Sequence, residues 1–290
     1  MSELPADVLE WSDQGRFVDH GGRRIFVVDT SSHPGPTVFI LHGFPSSSFD
    51  WRRVVPELAK RVRVVTFDYL GFGLSDKPVE ARYSLFEQAD LAEAIAAETD
   101  IRRCVLVAHD LGDTVAAELL KRSTEGKLPF EIDAAVLTNG SIFIDLVQLS
   151  AGQQLLLSLP DEVLGEPLPL DNLGQGLREL FSREHQPPDS ELEAMVALLR
   201  NNAQDRLLPR QIRYIEERRA NQDRWTAGLV DYQGPLTALW GEQDPIAVPA
   251  MMDRLAELRS QTKIVRWADV GHWPPIEVPD RVTSAILEYV

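Results

Sequence analysis

The run "VLVAHDLGDTVAAELL", Val105 to Leu120, carries a carboxylate, Asp110, to the end of an apolar stretch and passes at once into a helical pattern. "A-H-D-L-G" has the form small-x-nucleophile-x-small, with Ala108 and Gly112 as the small residues. In that form a strained strand-to-helix turn lifts one side chain above the edge of a sheet. The helix N-terminus behind it favours negative charge, which suits an ionised aspartate. A carboxylate so placed can attack carbon and leave an ester on the protein, which water must then cleave. The plainer reading of Asp110 is a helix cap or turn residue, since aspartate favours such positions. Strand context and small neighbours favour the nucleophile. Asp113 falls inside the first helical turn, where an acidic residue suits the dipole, and reads as structural.

Cleaving the ester needs a base and a group that orients it. His272 in "DVGHWPPIE" lies in a loop after a late apolar run, and Asp244 in "WGEQDP" follows another. Asp110, Asp244 and His272 stand in the chain order nucleophile, acid, base that recurs around such turns. Asp244 would accept the second imidazole N–H and fix tautomer and orientation. Its alternative is a turn aspartate before Pro245. The competing acid position, after "VLTNG", offers Asn139 and no carboxylate until Asp145. His42 and His109 read as local hydrogen-bonding residues.

These side chains need a scaffold that brings distant segments to one edge. "GRRIFVVDT", "TVFILHG", "VRVVTFDYLG", "CVLVAHD" and "IDAAVLTNG" read as strands, several apolar enough to be buried on both faces. Helical spacing appears between them in "WRRVVPELAKR", "SLFEQADLAEAIAAETD" and "DTVAAELLKRS". Ser84 and Glu87 suggest a capping box. Such alternation predicts a mostly parallel α/β sheet with helices on both faces and loops converging at the strand C-termini. The pattern breaks after Asn139-Gly140: "IDLVQLSAGQQLLLSL", "SELEAMVALLRNN" and "LLPRQIRYIEERRANQDRWTAGL" read as helices without strands. It resumes at "GPLTALWGEQDP", "VPAMMDRLAEL", "KIVRWADVG" and "VPDRVTSAILEYV". The expected organisation is an α/β core over 1–141 and 233–290, with an inserted helical cap over 142–232.

Composition narrows the classes. With 45 acidic against 29 basic residues, the net charge of −16 argues against nucleic acid and anionic membrane surfaces as partners. The single cysteine, Cys104, excludes an intramolecular disulfide. The start "MSELPADVLEW" lacks the form of a signal peptide, and no window approaches the ~20 apolar residues of a membrane helix. A cytoplasmic protein is expected. No His/Cys/carboxylate cluster has ligand spacing, and "GFGLSDKP" lacks G-x-G-x-x-G, so neither a metal nor another cofactor is expected. No sequence feature specifies an oligomer.

Taken together, "LHGFPSSSFDW", "FDYLGFGLSDKP", "AHDLGD", "WGEQDP" and "GHWPPIEVP", in this order around a helical insertion, resemble the α/β-hydrolase fold family across nearly the whole chain. The resemblance is to its aspartate-nucleophile branch, which holds epoxide hydrolases, haloalkane dehalogenases and mesoderm-specific-transcript-like proteins. It implies backbone oxyanion donors at Phe44 and Leu111, and a ring-opening acid at Tyr214 in the last long cap helix. Tyrosine suits that role because its phenol stays protonated at neutral pH. The alternative for Tyr214 is a core residue packing with Ile212 or Ile215. Epoxide hydrolases of this branch commonly use two cap tyrosines, and Ile142 to Pro160 contains none. The resemblance also bears on a halide leaving group, which needs donors rather than a proton. Dehalogenases typically supply an indole directly after the nucleophile, where this chain has Leu111. Phe44 and Trp225 are expected to line the pocket, with buried packing as the alternative for Trp225; the pocket favours a small, uncharged, hydrophobic substrate, with water as second reactant. Alkyl-halide hydrolysis and a non-catalytic role are the competing readings.

Overall fold

A computed structural model describes residues 4–30, 33, 35–166 and 173–290. The N-terminal helix α1 (Ala6–Asp13) precedes a hairpin of β1 (Arg16–His20) and β2 (Arg23–Asp29). Then β3 (Thr37–Leu41), α2 (Val55–Leu58), β4 (Val64–Phe67), α3 (Leu85–Glu98), β5 (Arg103–His109), α4 (Leu111–Thr124) and β6 (Glu131–Thr138) alternate. The eight-stranded sheet has the order β1-β2-β4-β3-β5-β6-β7-β8, where β7 is Leu236–Gly241 and β8 is Lys263–Trp267. It is antiparallel at β1, β2 and β4 and parallel from β4 onward.

The period of two along a strand distributes these apolar runs to both faces. Leu106 and Ala108 join one core cluster with Phe39 and Leu41, whereas Val105 and Val107 join the other with Val38 and Ile40. Burying each such aliphatic side chain is worth about 1.5–3 kcal/mol. Parallel pairing then brings strand ends together: Leu41 lies opposite Ala108, His109 opposite Thr138, and Thr138 opposite Leu239. One sheet edge therefore collects the segments that follow β3, β5, β6 and β7.

Between β6 and β7 the described residues contain no strand. They form α5 (Ala151–Ser158), α6 (Leu173–Arg178), α7 (Asp189–Arg200), α8 (Leu208–Gln211), α9 (Tyr214–Ala220) and α10 (Gln222–Asp231). After β7 come α11 (Ala250–Leu258), α12 (Pro274–Glu277) and α13 (Pro279–Ile286). The helical segment seats on the core loops through side-chain amides: Gln204 donates to the Pro45 carbonyl at 3.0 Å and Gln211 to that of Gly71 at 2.7 Å.

Several local expectations are corrected. "WRRVVPELAKR" keeps only the one-turn α2, with Pro56 in it, after a 3-10 turn at Ser48–Trp51. The long helix expected from Leu207 to Leu229 is three, because Asn221 leaves helical geometry between α9 and α10 and α8 is a single turn. The helix expected from Ile144 starts only at Ala151, where Ser150 and Gln153 form a reciprocal capping box. At α3, Ser84 caps as expected, but the partner is not Glu87. Glu217 from α9 accepts the Ser84 hydroxyl and the Leu85 amide, each at 2.6 Å. A carboxylate from elsewhere in the chain occupies the positive helix end.

Candidate active site

Asp110 is the one residue between β5 and α4, with φ 49° and ψ −111°. A non-glycine residue held there costs about 1–3 kcal/mol, and the surrounding contacts must enforce it. Two glycines allow the approach. A Cβ on Gly112 would lie 2.6 Å from the Leu41 carbonyl oxygen, and one on Gly43 would lie 2.8 Å from the Asp110 Cβ. The carboxylate is 3% exposed, and its Oδ2 accepts the Phe44 amide at 2.9 Å. Leu111 opens α4, so its amide has no intrahelical acceptor and belongs to the same edge. Of the two backbone donors expected from the sequence, Phe44 is seen bonded to the aspartate.

His272 follows β8, and its Nδ1 lies 2.7 Å from Asp244 Oδ2. The other oxygen, Oδ1, accepts the Ile246 and Ala247 amides at 2.7 and 3.0 Å. Burial, the largest influence on Asp244, raises its pKa, but His272, Asn139 and the Ile246 amide together hold it below the usual carboxylate value. For His272, burial opposes the charged form most strongly. The charge and hydrogen bond of Asp244, with Asp110 and Glu277 behind, overcome it and raise the imidazole to about 9. Asp110, Asp244 and His272 are thus brought to one edge.

Asn139, at φ 43°, was passed over at the sequence level as a missing acid. Its amide donates to Asp244 Oδ2 at 2.8 Å while its oxygen accepts the Gly241 amide at 2.9 Å. It holds Asp244, which in turn holds His272. The signal was present: a turn-forming Asn-Gly at a strand end, in register with the edge.

His42 and His109 are hydrogen-bonding residues, as expected, but the partner of His109 is not local. The Tyr69 amide donates to His42 Nε2 at 3.0 Å, leaving Nδ1–H to donate to the Gly43 carbonyl at 2.8 Å, and burial lowers its pKa to about 3. His109 Nε2 lies 2.8 Å from the His272 carbonyl, and burial, aided by the His272 charge, lowers it to about 4. Asp113 is fully buried, with its pKa raised well above the usual value, chiefly by burial.

Tyr214 begins α9, buried, with its ring centre 5.3 Å from that of Phe44. Burial first, and then the Asp110 charge, raise its phenol. Trp225 is not brought to the others, a correction to its expected place in the pocket. Its indole donates to Glu118 at 3.0 Å and its ring packs on Phe86. Glu118 lies two turns along α4 from the edge and also holds Arg122 and Arg224 at 2.8 and 2.7 Å. This buried carboxylate joins α10 to the core. Glu118→Ala leaves the Trp225 indole without its acceptor and takes one of several carboxylate partners from each of Arg122 and Arg224, and about 2 kcal/mol of stability is expected to be lost. A thermal melt indistinguishable from wild type would refute this.

A surface cleft of about 580 Å³ runs along Gln175, Arg178, Phe181 and Gln243 and contains none of these edge residues. Among the described residues no His/Cys/Asp/Glu group could hold a metal ion, and no helix is long and apolar enough to cross a membrane.

The chain matches the alpha/beta hydrolase fold family over residues 36–279. It is 39% identical over 282 residues to LipZ of Mycobacterium tuberculosis, named only provisionally as a hydrolase, spanning 97% of this chain and 96% of that one. It is 32% identical over 300 residues to the mesoderm-specific transcript protein of Mus musculus, spanning 99% and 89%. Haloalkane dehalogenase 2 of Mycobacterium bovis is 25% identical over 285 residues, spanning 95% and 94%. Because the match runs from the start of β3 to that of α13, and these relatives align over most of their length, the chain belongs to the alpha/beta hydrolase fold family.

Proposed function

We propose that this hydrolase opens a small, largely apolar epoxide through an ester on Asp110 and releases a diol. The observation that carries the reading is the Asp110 carboxylate at the strained turn, with one oxygen on the Phe44 amide and the His272–Asp244 pair at the same edge. Oδ1 attacks an epoxide carbon, the ring C–O bond breaks, and Tyr214 gives its proton to the departing oxygen. His272 then takes a proton from water, and the resulting hydroxide attacks the ester carbonyl carbon. The charge that develops on Oδ2 falls at the Phe44 and Leu111 amides. Collapse expels the diol oxygen, which takes the imidazolium proton, and the proton left on the regenerated carboxyl passes to the Tyr214 phenolate, restoring both groups. Residues 142–232 serve as the cap over this site, in the reading proposed here.

The name of haloalkane dehalogenase 2 favours an alkyl halide as the second reading. Against it, Leu111 and Phe44 offer no side-chain donor for a halide, and the Trp225 indole is committed to Glu118. Incubation with styrene oxide and with 1-bromobutane, followed by assay of diol and free bromide, separates the two. Bromide without diol overturns the epoxide assignment.

Ester hydrolysis requires the neutral imidazole. Esterification removes the Asp110 charge, one of the influences that raise His272 to about 9, so the base ionises at lower pH once the ester has formed. The single-turnover rate of ester breakdown is expected to climb with pH and level off below about 9. A rate independent of pH between about 5 and 10 would exclude the imidazole as base.

A further inference from the structure

Arg218 lies one helical turn beyond Tyr214 on α9, and its side chain is 1% exposed. Its Nε donates to the hydroxyl of Thr114, in the first turn of α4, at 2.8 Å. The guanidinium carbon stands 4.9 Å from the centre of the Tyr214 ring. Nη2 is buried without an acceptor, and no carboxylate lies within 4.0 Å of the guanidinium among the described residues. An isolated buried cation is costly, and an aromatic face offsets only part of that cost. The carboxylate that feels its charge is Asp113, itself buried and held well above the usual carboxylate value chiefly by burial, so at rest the guanidinium has no ion-pair partner among the described residues.

We propose that Arg218 is a positioning residue for the leaving-oxygen acid: it holds the Tyr214 ring against α4 and stabilises the phenolate left when Tyr214 gives up its proton. This rests on the epoxide reading above. Carboxylate, epoxide and phenol become ester, alcohol and phenolate, with one negative charge on each side. In the resting site burial first, and then the Asp110 charge, oppose ionisation of Tyr214, while Arg218 and a hydrogen bond from Gln153 favour it. Bond formation at carbon neutralises Asp110 in the same step that asks Tyr214 for its proton. The opposing charge vanishes, and the guanidinium over the ring remains. A tie serving only to pack α9 on α4 has no such dependence on the electrophile.

That dependence is the test. In a His272→Gln background, the rate of adduct formation is followed by intact mass with 1,2-epoxybutane and with 3,3,3-trifluoro-1,2-epoxypropane, whose oxygen leaves as a far weaker base. Arg218→Leu is expected to slow the butane epoxide about 10²-fold and the trifluoro epoxide less than about tenfold. Placed on Tyr214→Phe, the same change is expected to add little, because the residue acts through the phenol. Equal slowing of both epoxides, or full multiplication of the two variants' effects, overturns the proposal. If Arg218→Leu does not fold, Thr114→Val cuts the tether while leaving the charge and is read the same way. A wild type that opens neither epoxide removes the epoxide reading and this inference with it. A wild type that opens both, with the variant slowing both alike, removes the inference alone.

Discussion

His272→Gln is expected to consume one epoxide per chain and then stop. The first step uses the Asp110 carboxylate, which the substitution leaves on its turn with the Phe44 amide still bonded to Oδ2. The second step loses the group that takes the water proton, and turnover is expected to fall by about 10⁴-fold or more. Intact mass should show a chain heavier by one substrate, and peptide mapping should place the added mass on Asp110. Glutamine keeps a polar group beside Asp244, which limits the structural cost of leaving that buried carboxylate without its 2.7 Å partner. An unmodified chain, with wild type turning over normally, would refute the two-step scheme. Steady turnover by the variant at wild-type rate would remove His272 from the reaction.

The second large effect is expected from replacing Asp110, the nucleophile proposed above. Asp110→Asn preserves shape and an oxygen for the Phe44 amide, yet a neutral amide is a poor nucleophile toward carbon. Turnover is expected to drop about 10⁴-fold or more, and no adduct should form even in the His272→Gln background. Because Asp110 is also among the charges that raise His272, the same substitution is expected to lower the imidazole pKa from about 9, measurable by NMR titration. An adduct that still forms would place the reacting group elsewhere. An imidazole that titrates unchanged would mean that Asp110 and His272 do not share one site.

Much of this arrangement was legible along the chain because its signals are local. The strand β5, its turn and α4 are contiguous, and Ala108, Asp110 and Gly112 announce by type alone that a strand and a helix meet closely. Asp244 and His272 follow apolar runs, so parallel pairing suffices to carry them to the edge where Asp110 stands. Asn139 shows where local reading stopped. A residue noted as the absent carboxylate bonds the carboxylate from the next strand, a contact between positions 139 and 244 that depends on β6 and β7 being neighbours. Glu217 in place of Glu87 at the α3 N-terminus is a failure of the same kind, since a cap three residues away lost to a carboxylate delivered by tertiary packing.

The sequence by itself determined the alternating core, the helical interruption and the identities and order of Asp110, Asp244 and His272, because apolar period, turn chemistry and small residues act between near neighbours. Only the tertiary structure decided which way the inserted helices face. α10 approaches α4 so closely that a Cβ on Gly228 would meet the Ala117 carbonyl oxygen at 2.2 Å, and that seating sends Trp225 to Glu118. α9 places Tyr214 beside Phe44, with Arg218 over its ring and tied to Thr114. Helical periodicity specifies which residues share a stripe. What that stripe faces depends on the breaks between α8, α9 and α10 and on packing against a core formed largely by earlier residues, neither of which is written in the local pattern.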